Sequence, residues 1–246
     1  GMFAAFFIIL SYLPEDITFS KALKIAGASG KMEVLDFSFD LNNRYTIWTG
    51  FLGGTFLMLS YFGTDQSQVQ RYLSGKSVRE SQLGLLFNGF LKVPMQFFIL
   101  LVGVMVFVFY QFNSSPLNFN PAATSAVMNS PYAEAYSMLD KDHKEIESEK
   151  KAAQLYFAQH PEDQDAIEKI RDLNNRETAQ REAAKELIIK ADSTLEVNDK
   201  DYVFIHFILN NLPRGLIGLL LAVILSAAMS STASELNALA ATTTMD

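Results

Sequence analysis

The chain has 246 residues, of which 49% are hydrophobic and 19% are charged, and its formal net charge is −7. It contains no cysteine, which excludes a disulfide framework and a thiolate metal site. The excess of acidic residues argues against nucleic acid as a partner. The histidines are scattered, and the sequence has no hydrolytic, redox or phosphate-binding motif, so we do not expect an enzyme.

Apolar stretches separated by polar segments predict an all-α membrane protein. Residues 1–13 are typical of the end of a membrane helix, and residues 14–44 are expected to form a polar loop that leaves room for short helical or strand pieces. Two membrane helices follow within residues 45–112, at 45–63 and 83–112, and a last one is expected at 216–241. Residues 202–211 are apolar but short, which predicts an interfacial or re-entrant segment within 202–246.

The connector at 71–80 sets the expected orientation. It has three basic residues and one acidic residue close to two membrane ends, so the positive-inside rule places it in the cytoplasm. The loop at 14–44 and the segment at 113–201 must then be extracytoplasmic. Residues 113–201 carry a net charge of −7, the whole formal charge of the chain.

The extracytoplasmic insertion at 113–201 is expected to be a helical hairpin. Residues 133–159 are rich in Ala, Glu and Lys, and His160-Pro161 ends that helix. A second helix is expected from Pro161 to about residue 191, with acidic residues in its first turn. A solvated linker is the alternative. If the hairpin is exposed, its surface is available to a protein partner.

Hydroxyl side chains cluster in the last predicted membrane helix, where Ser230 and Ser231 follow Ala227. A sodium ion is a hard cation that takes several oxygen ligands, so two adjacent hydroxyls and a backbone carbonyl supply about half of a site. The alternative is that small hydroxyl residues only allow close helix packing. Lys92, in the preceding membrane helix, either faces a cavity or partner or extends to the cytoplasmic interface.

Two stretches of the sequence together resemble the sodium/solute symporter family of sodium-coupled sugar, vitamin, monocarboxylate and related carriers. The first is YFGTDQSQVQRYLSGKS at residues 61–77, continued by FLK at 90–92. The second is SAAMSSTASELNALAATTTMD at residues 226–246. The resemblance covers the membrane segments rather than the helical insertion, and it identifies the chain as an internal fragment of such a carrier.

The resemblance implies the leucine-transporter-type fold, an inverted-repeat helix bundle with discontinuous first and sixth core helices. Residues 45–70 then correspond to the sixth core helix, 83–112 to the seventh and 213–244 to the eighth. The family's sodium site implies as ligands the carbonyl of Ala227 and the hydroxyls of Ser230 and Ser231. The remaining ligands belong to the first core helix, which this sequence lacks.

The resemblance also implies residues near the solute. Tyr61 occupies the position of an aromatic inner gate in the sugar branch, and Lys92 matches a lysine that contacts the sugar. Met58 stands where that branch has a sugar-binding asparagine, and Phe62 stands in place of a tryptophan, which puts a sugar in doubt. The break of the sixth core helix is expected near Gly50–Gly54.

We therefore expect a secondary active transporter that couples uptake of a small polar organic solute to sodium by alternating access. Its partners are sodium, the solute and the lipid bilayer, and we expect a multi-pass protein of the bacterial inner membrane. Two alternatives stay open. One is the symporter-like membrane region of a signalling sensor, and the other is a structural membrane component that binds no ion.

Overall fold

The computed structural model describes residues 2–32, 36–39, 46–73 and 77–245, and all regular elements in these ranges are α-helices. In chain order the helices are α1 (Met2–Tyr12), α2 (Phe19–Ala28), α3 (Ile47–Gly63), α4 (Gln66–Leu73), α5 (Val78–Phe112), α6 (Pro121–Met128), α7 (Ala133–Gln159), α8 (Gln164–Ala191), α9 (Lys200–Asn211) and α10 (Arg214–Met245). Part of the predicted connector, residues 74–76, lies outside the described residues.

The chain divides into two compact units. The insertion unit consists of Gly1–Met32 and Leu100–Pro213, and it holds α1, α2, α6 to α9 and the end of α5. The span unit consists of Glu33–Ile99 and Arg214–Asp246, and it holds α3, α4, α10 and the first part of α5.

The insertion unit is built on α7 and α8, which pack against each other and have nearly the predicted bounds. Helix α7 ends before His160, since Pro161 cannot continue the helical hydrogen bonds. Helix α8 begins after Asp163, whose carboxylate accepts hydrogen bonds from the N–H groups of Asp165 and Ala166 at 3.0 and 3.3 Å.

The core of this unit joins α8 to α6 and α7. Its buried side chains are aliphatic or aromatic and come from four parts of the chain: Leu117, Ala123, Val127, Tyr136, Ala184 and Ile188. Helix α6 is fixed at its start by Asn120, whose side chain accepts from two backbone N–H groups of the first turn.

The predicted polar loop at 14–44 contains a helix, α2, that packs against α7 and α8. Its buried residues Ala22, Ile25 and Ala26 lie on one face, and Thr18 caps its first turn through the N–H of Lys21 at 3.4 Å. Short helical pieces were allowed for within this loop, and a short apolar stripe next to a cap is enough to form one when it has a surface to cover.

Aromatic side chains pack around the end of α5 in the insertion unit. The buried ring of Phe109 has its centroid 5.0 Å from that of Phe207 on α9 and 5.9 Å from that of Tyr12 on α1. The hydroxyl of Tyr110 lies 2.8 Å from Nδ1 of His206. His206 thus has a hydrogen-bonding partner within the packed aromatic cluster.

In the span unit, α3 is continuous through Gly50–Gly54, and the break expected there is not present. Glycine lowers helix stability by about 1 kcal/mol relative to alanine, which is not enough to break a helix whose apolar surroundings leave no other hydrogen-bonding partner. Thr46 begins α3 with a capping box formed with Thr49. Helix α4 contacts both α3 and α10.

Two helices, α5 and α10, are long and apolar enough to cross a membrane. Helix α1 is shorter, and α3 has 17 residues. The apolar part of α10 has none of its residues buried in the structure. Its surface is therefore of the kind that lipid or further helices cover.

Candidate functional site

The three predicted sodium ligands lie within about one turn of α10, where Ala227, Ser230 and Ser231 are exposed. Helical geometry places residues three and four apart on one face, so the Ala227 carbonyl lies close to the side of the helix that carries the two hydroxyls. These atoms supply three oxygens. A sodium site needs more, and the others must come from another segment.

Hydroxyl groups on α10 differ in how they are used. Thr232 donates to the carbonyl of Ala228 at 3.0 Å, and Ser234 donates to that of Ser230 at 3.1 Å. By contrast, the hydroxyls of Ser226, Ser230 and Ser231 donate to no residue that the structure describes. Such a hydroxyl keeps its lone pairs and its proton available for a ligand.

The oxygen ligands on α10 are neutral. Among the described residues, no group of three or more His, Asp or Glu side chains could hold a metal ion. Hydroxyl and carbonyl oxygens are ligands that hard cations such as sodium take.

The structure brings two of the predicted solute residues together in the span unit. The Lys92 ammonium of α5 lies over the Tyr61 ring of α3, with Nζ 5.7 Å from the ring centroid. A cation over an aromatic face at this distance is attracted by the ring quadrupole. A lysine inside an apolar span thereby gains a partner within its own unit.

Met58 and Phe62 lie on another part of α3. They line a groove of about 660 Å³ that is formed by α3 residues alone, and Gly50 and Gly54 leave space in it because they have no side chain. Tyr61 does not line this groove, although its ring lies edge-on to that of Phe62 with centroids 5.1 Å apart. The four predicted solute residues therefore divide into a cation–aromatic pair and an apolar groove.

Sequence reasoning missed a buried charge cluster in the insertion unit. Glu177 of α8 forms ion pairs with Lys150 of α7 and with Arg181, one turn further along α8 at 3.0 Å. Burial alone would raise the pKa of Glu177, but the charges and hydrogen bonds of Lys150 and Arg181 outweigh it and lower the pKa to about 2. The four-residue spacing of Glu177 and Arg181 indicates an ion pair on one helix and is visible in the sequence. The contact with Lys150 is not visible there, because it forms only when α7 and α8 pack side by side.

A second part of this cluster holds the chain where it leaves α5. The carboxylate of Glu147 accepts hydrogen bonds from the N–H and hydroxyl of Ser115 at 2.7 and 2.6 Å. Arg181 donates to the Ser115 hydroxyl at 3.0 Å and to the Leu117 carbonyl at 2.9 Å. His143 is fully buried beside them, and its burial and the charge of Arg181 lower its pKa, against the opposing effect of Glu147.

Comparison with protein families gives a match at the end of the chain. Residues 185–246 match the Sodium:solute symporter family. The matched range includes the whole of α10 and therefore Ala227, Ser230 and Ser231.

Curated relatives are transporters. The human Sodium/iodide cotransporter is 34% identical over 90 residues, which are 37% of this chain and 14% of that protein. The mouse Sodium-coupled monocarboxylate transporter 2 is 39% identical over 70 residues, or 28% of this chain and 11% of that protein. The rabbit Sodium-dependent multivitamin transporter is 34% identical over 91 residues, which are 35% of this chain and 14% of that protein. The matches thus span about a seventh or less of these relatives, and no solved structure matches the chain.

Proposed function

We propose that this chain is part of a sodium:solute symporter, a transporter and not an enzyme, and that the carrier couples solute uptake to sodium. The cargo is a sodium ion together with a small polar organic solute. The names of these relatives cover iodide, monocarboxylates and vitamins, so they do not select one solute.

One observation carries the proposal: α10 presents unused hydroxyls at Ser230 and Ser231 inside the region that matches the family. Sodium binds these hydroxyls and the carbonyl of Ala227, together with ligands from a first core helix outside this chain. Binding stabilises an outward-open state, and the helix bundle then rocks to release both cargoes inward. The membrane potential contributes about 2.3 kcal/mol per charge per 100 mV, which allows uptake against a gradient.

The proposed architecture is a leucine-transporter-type inverted repeat in which α3, α5 and α10 belong to the sixth, seventh and eighth core helices. The connector at 71–80 is cytoplasmic, and the segments at 14–44 and 113–201 are extracytoplasmic. Packing of α2 against α7 and α8 supports this topology, since it requires those two segments to lie on the same side of the membrane. A bacterial inner membrane stays a prediction, and the matched relatives named above are mammalian.

Solute recognition is proposed at the inner part of the span unit. Tyr61 and Lys92 form a polar and aromatic pair next to the apolar groove with Met58 and Phe62. In this arrangement Tyr61 closes the solute site from inside, and Lys92 donates hydrogen bonds to an oxygen of the solute.

The test is the thermal stability of the purified full-length protein in sodium and in potassium. A ligand that binds only the folded state stabilises it by about 2.7 kcal/mol at one hundred times its dissociation constant, so sodium should raise the melting temperature. The double variant Ser230→Ala/Ser231→Ala should lose this rise. Thr232→Val is the matched control, because its hydroxyl already donates within the helix.

Two results would contradict the sodium site. One is the absence of any sodium effect in a well-folded protein, which would favour the sensor or structural alternatives. The other is a sodium effect that persists in the double variant, which would place the ion elsewhere.

A further inference from the structure

A cavity of about 470 Å³ lies within the insertion unit. Its walls come from the end of α2, the last turns of α5, the middle of α8 and the first turn of α9. The polar side chains of the lining include Lys31, Tyr110, Gln111, Asn174, Asn175 and Arg181. Small-molecule sites in proteins commonly have volumes of roughly 300–1,000 Å³ and a few convergent polar groups, so this cavity has the size and lining of such a site.

The charges around the cavity are not balanced. Lys31 makes no ion pair with any described residue, and its ammonium lies over the Phe107 ring at 5.2 Å from the centroid. Glu177, the acidic residue of the lining, is already paired with Lys150 and Arg181. The lining carries two cations, Lys31 and Arg181, and one acid, Glu177. Arg181 also lies 4.0 Å from the Asp199 carboxylate, so Lys31 is the lining cation without an acidic partner among the described residues.

Two residues beside the cavity, Arg181 and Ser29, also have hydrogen-bond donors that are not used on any described residue. A guanidinium has five N–H donors, and Arg181 uses three of them on Glu177, Leu117 and Ser115. The hydroxyl of Ser29, at the end of α2, is buried and has no partner in the described structure. These donors accompany the Lys31 ammonium around a single cavity.

We infer that this cavity binds a small organic carboxylate through Lys31 and Arg181. The negative charge would pair with the Lys31 cation, and the carboxylate oxygens would accept from the ammonium and the unused guanidinium N–H groups. Phe107 and Phe119 supply apolar surface for a short carbon chain. The site lies outside the transport residues of the span unit and needs no sodium, so it goes beyond the proposed function.

The experiment measures lactate binding by calorimetry to the full-length protein, with the neutral isostere lactamide as the ligand control. It is done in potassium buffer and in the Ser230→Ala/Ser231→Ala background, so that sodium-coupled binding is absent. Lactate should bind and lactamide should not. If lactate binds only with sodium and intact serines, the cavity inference fails and the proposed function stands.

Two variants test the location. Lys31→Gln should weaken lactate binding about tenfold, the order expected for one charge-assisted hydrogen bond. Lys24→Gln is the matched control: it removes an exposed lysine of α2 that does not line the cavity, and binding should not change. Gly103→Leu should abolish binding by filling the cavity from α5, where a Cβ meets no atom within 4 Å.

Binding of lactate that is equal in the parent and in both Lys31→Gln and Gly103→Leu would overturn the inference. So would equal binding of lactate and lactamide, or no lactate binding in a protein that remains folded by circular dichroism and size-exclusion chromatography. Among the described residues, the Lys31 ammonium contacts the Phe107 ring and no acidic side chain, so we expect its substitution to leave the fold of the unit intact.

Discussion

Arg181 joins α8 to the chain that leaves α5, and its removal should loosen this junction. The guanidinium donates to Glu177 on its own helix and to Ser115 and Leu117 beyond α5. It also lies over the Phe119 ring at 5.3 Å. The change Arg181→Met keeps the length of the apolar stem and removes all of these polar contacts.

The expected loss follows from the burial of the pair. Only 20% of the Arg181 side chain and 18% of Glu177 are exposed, so the pair is largely removed from water. Breaking a buried pair costs about 3–5 kcal/mol, and we expect the lower end because Lys150 still neutralises Glu177. A loss of about 3 kcal/mol corresponds to a roughly hundredfold change in the opening equilibrium.

Hydrogen exchange of backbone amides measures this opening directly. The amides of Ala184 and Ile188, both fully buried, should exchange roughly a hundredfold faster in the Arg181→Met protein. Arg176→Met is the matched control on the same helix, since Arg176 and its partner Glu149 are about half exposed. Such a pair contributes about 0.2–1 kcal/mol. Equal effects of the two substitutions would refute the assigned role of Arg181.

Three further changes have expected outcomes. Because the folded state lowers the pKa of His143, the unfolded state binds the proton more readily, and stability should fall as the pH drops below about 6.5. In the His143→Gln protein, the melting temperature should depend less on pH between pH 7 and 5. Ile188→Ala should lower the free energy of unfolding by about 2–5 kcal/mol, measured by thermal unfolding, because its side chain is fully buried. Tyr61→Leu should lower stability by roughly 0.5–1 kcal/mol through loss of the contact with Lys92, whereas Tyr61→Phe keeps the ring and should have little effect.

The sequence alone predicted the hairpin helices of the insertion well. Pro161 marks the end of α7, and the acidic residues after it mark the start of α8, so both signals are local. The resemblance likewise pointed to the sodium:solute symporter family through residues in α4, α5 and α10, and the model of that family matches residues 185–246. The sodium and solute residues stay predictions.

Contacts between distant parts of the chain were not predictable. Lys150 and Glu177 are 27 residues apart and meet only because α7 and α8 run side by side. The bounds of the helix within 14–44 were not predicted, because its apolar stripe is short and its packing surface comes from α7 and α8. The break expected at Gly50–Gly54 rested on glycine content, which permits a break without requiring one.

The exposed surface of α10 indicates how its two halves differ. The first half carries apolar side chains that are all more than half exposed: Leu219, Leu221, Val223, Ile224 and Leu225. Contact of such a surface with lipid carries no energetic penalty. From Ser226 onward the helix carries Ser226, Ser230 and Ser231, whose hydroxyls donate to no described residue and would be unfavourable in hydrocarbon. That face therefore requires a polar neighbour, which in the proposed carrier is sodium held between α10 and the first core helix.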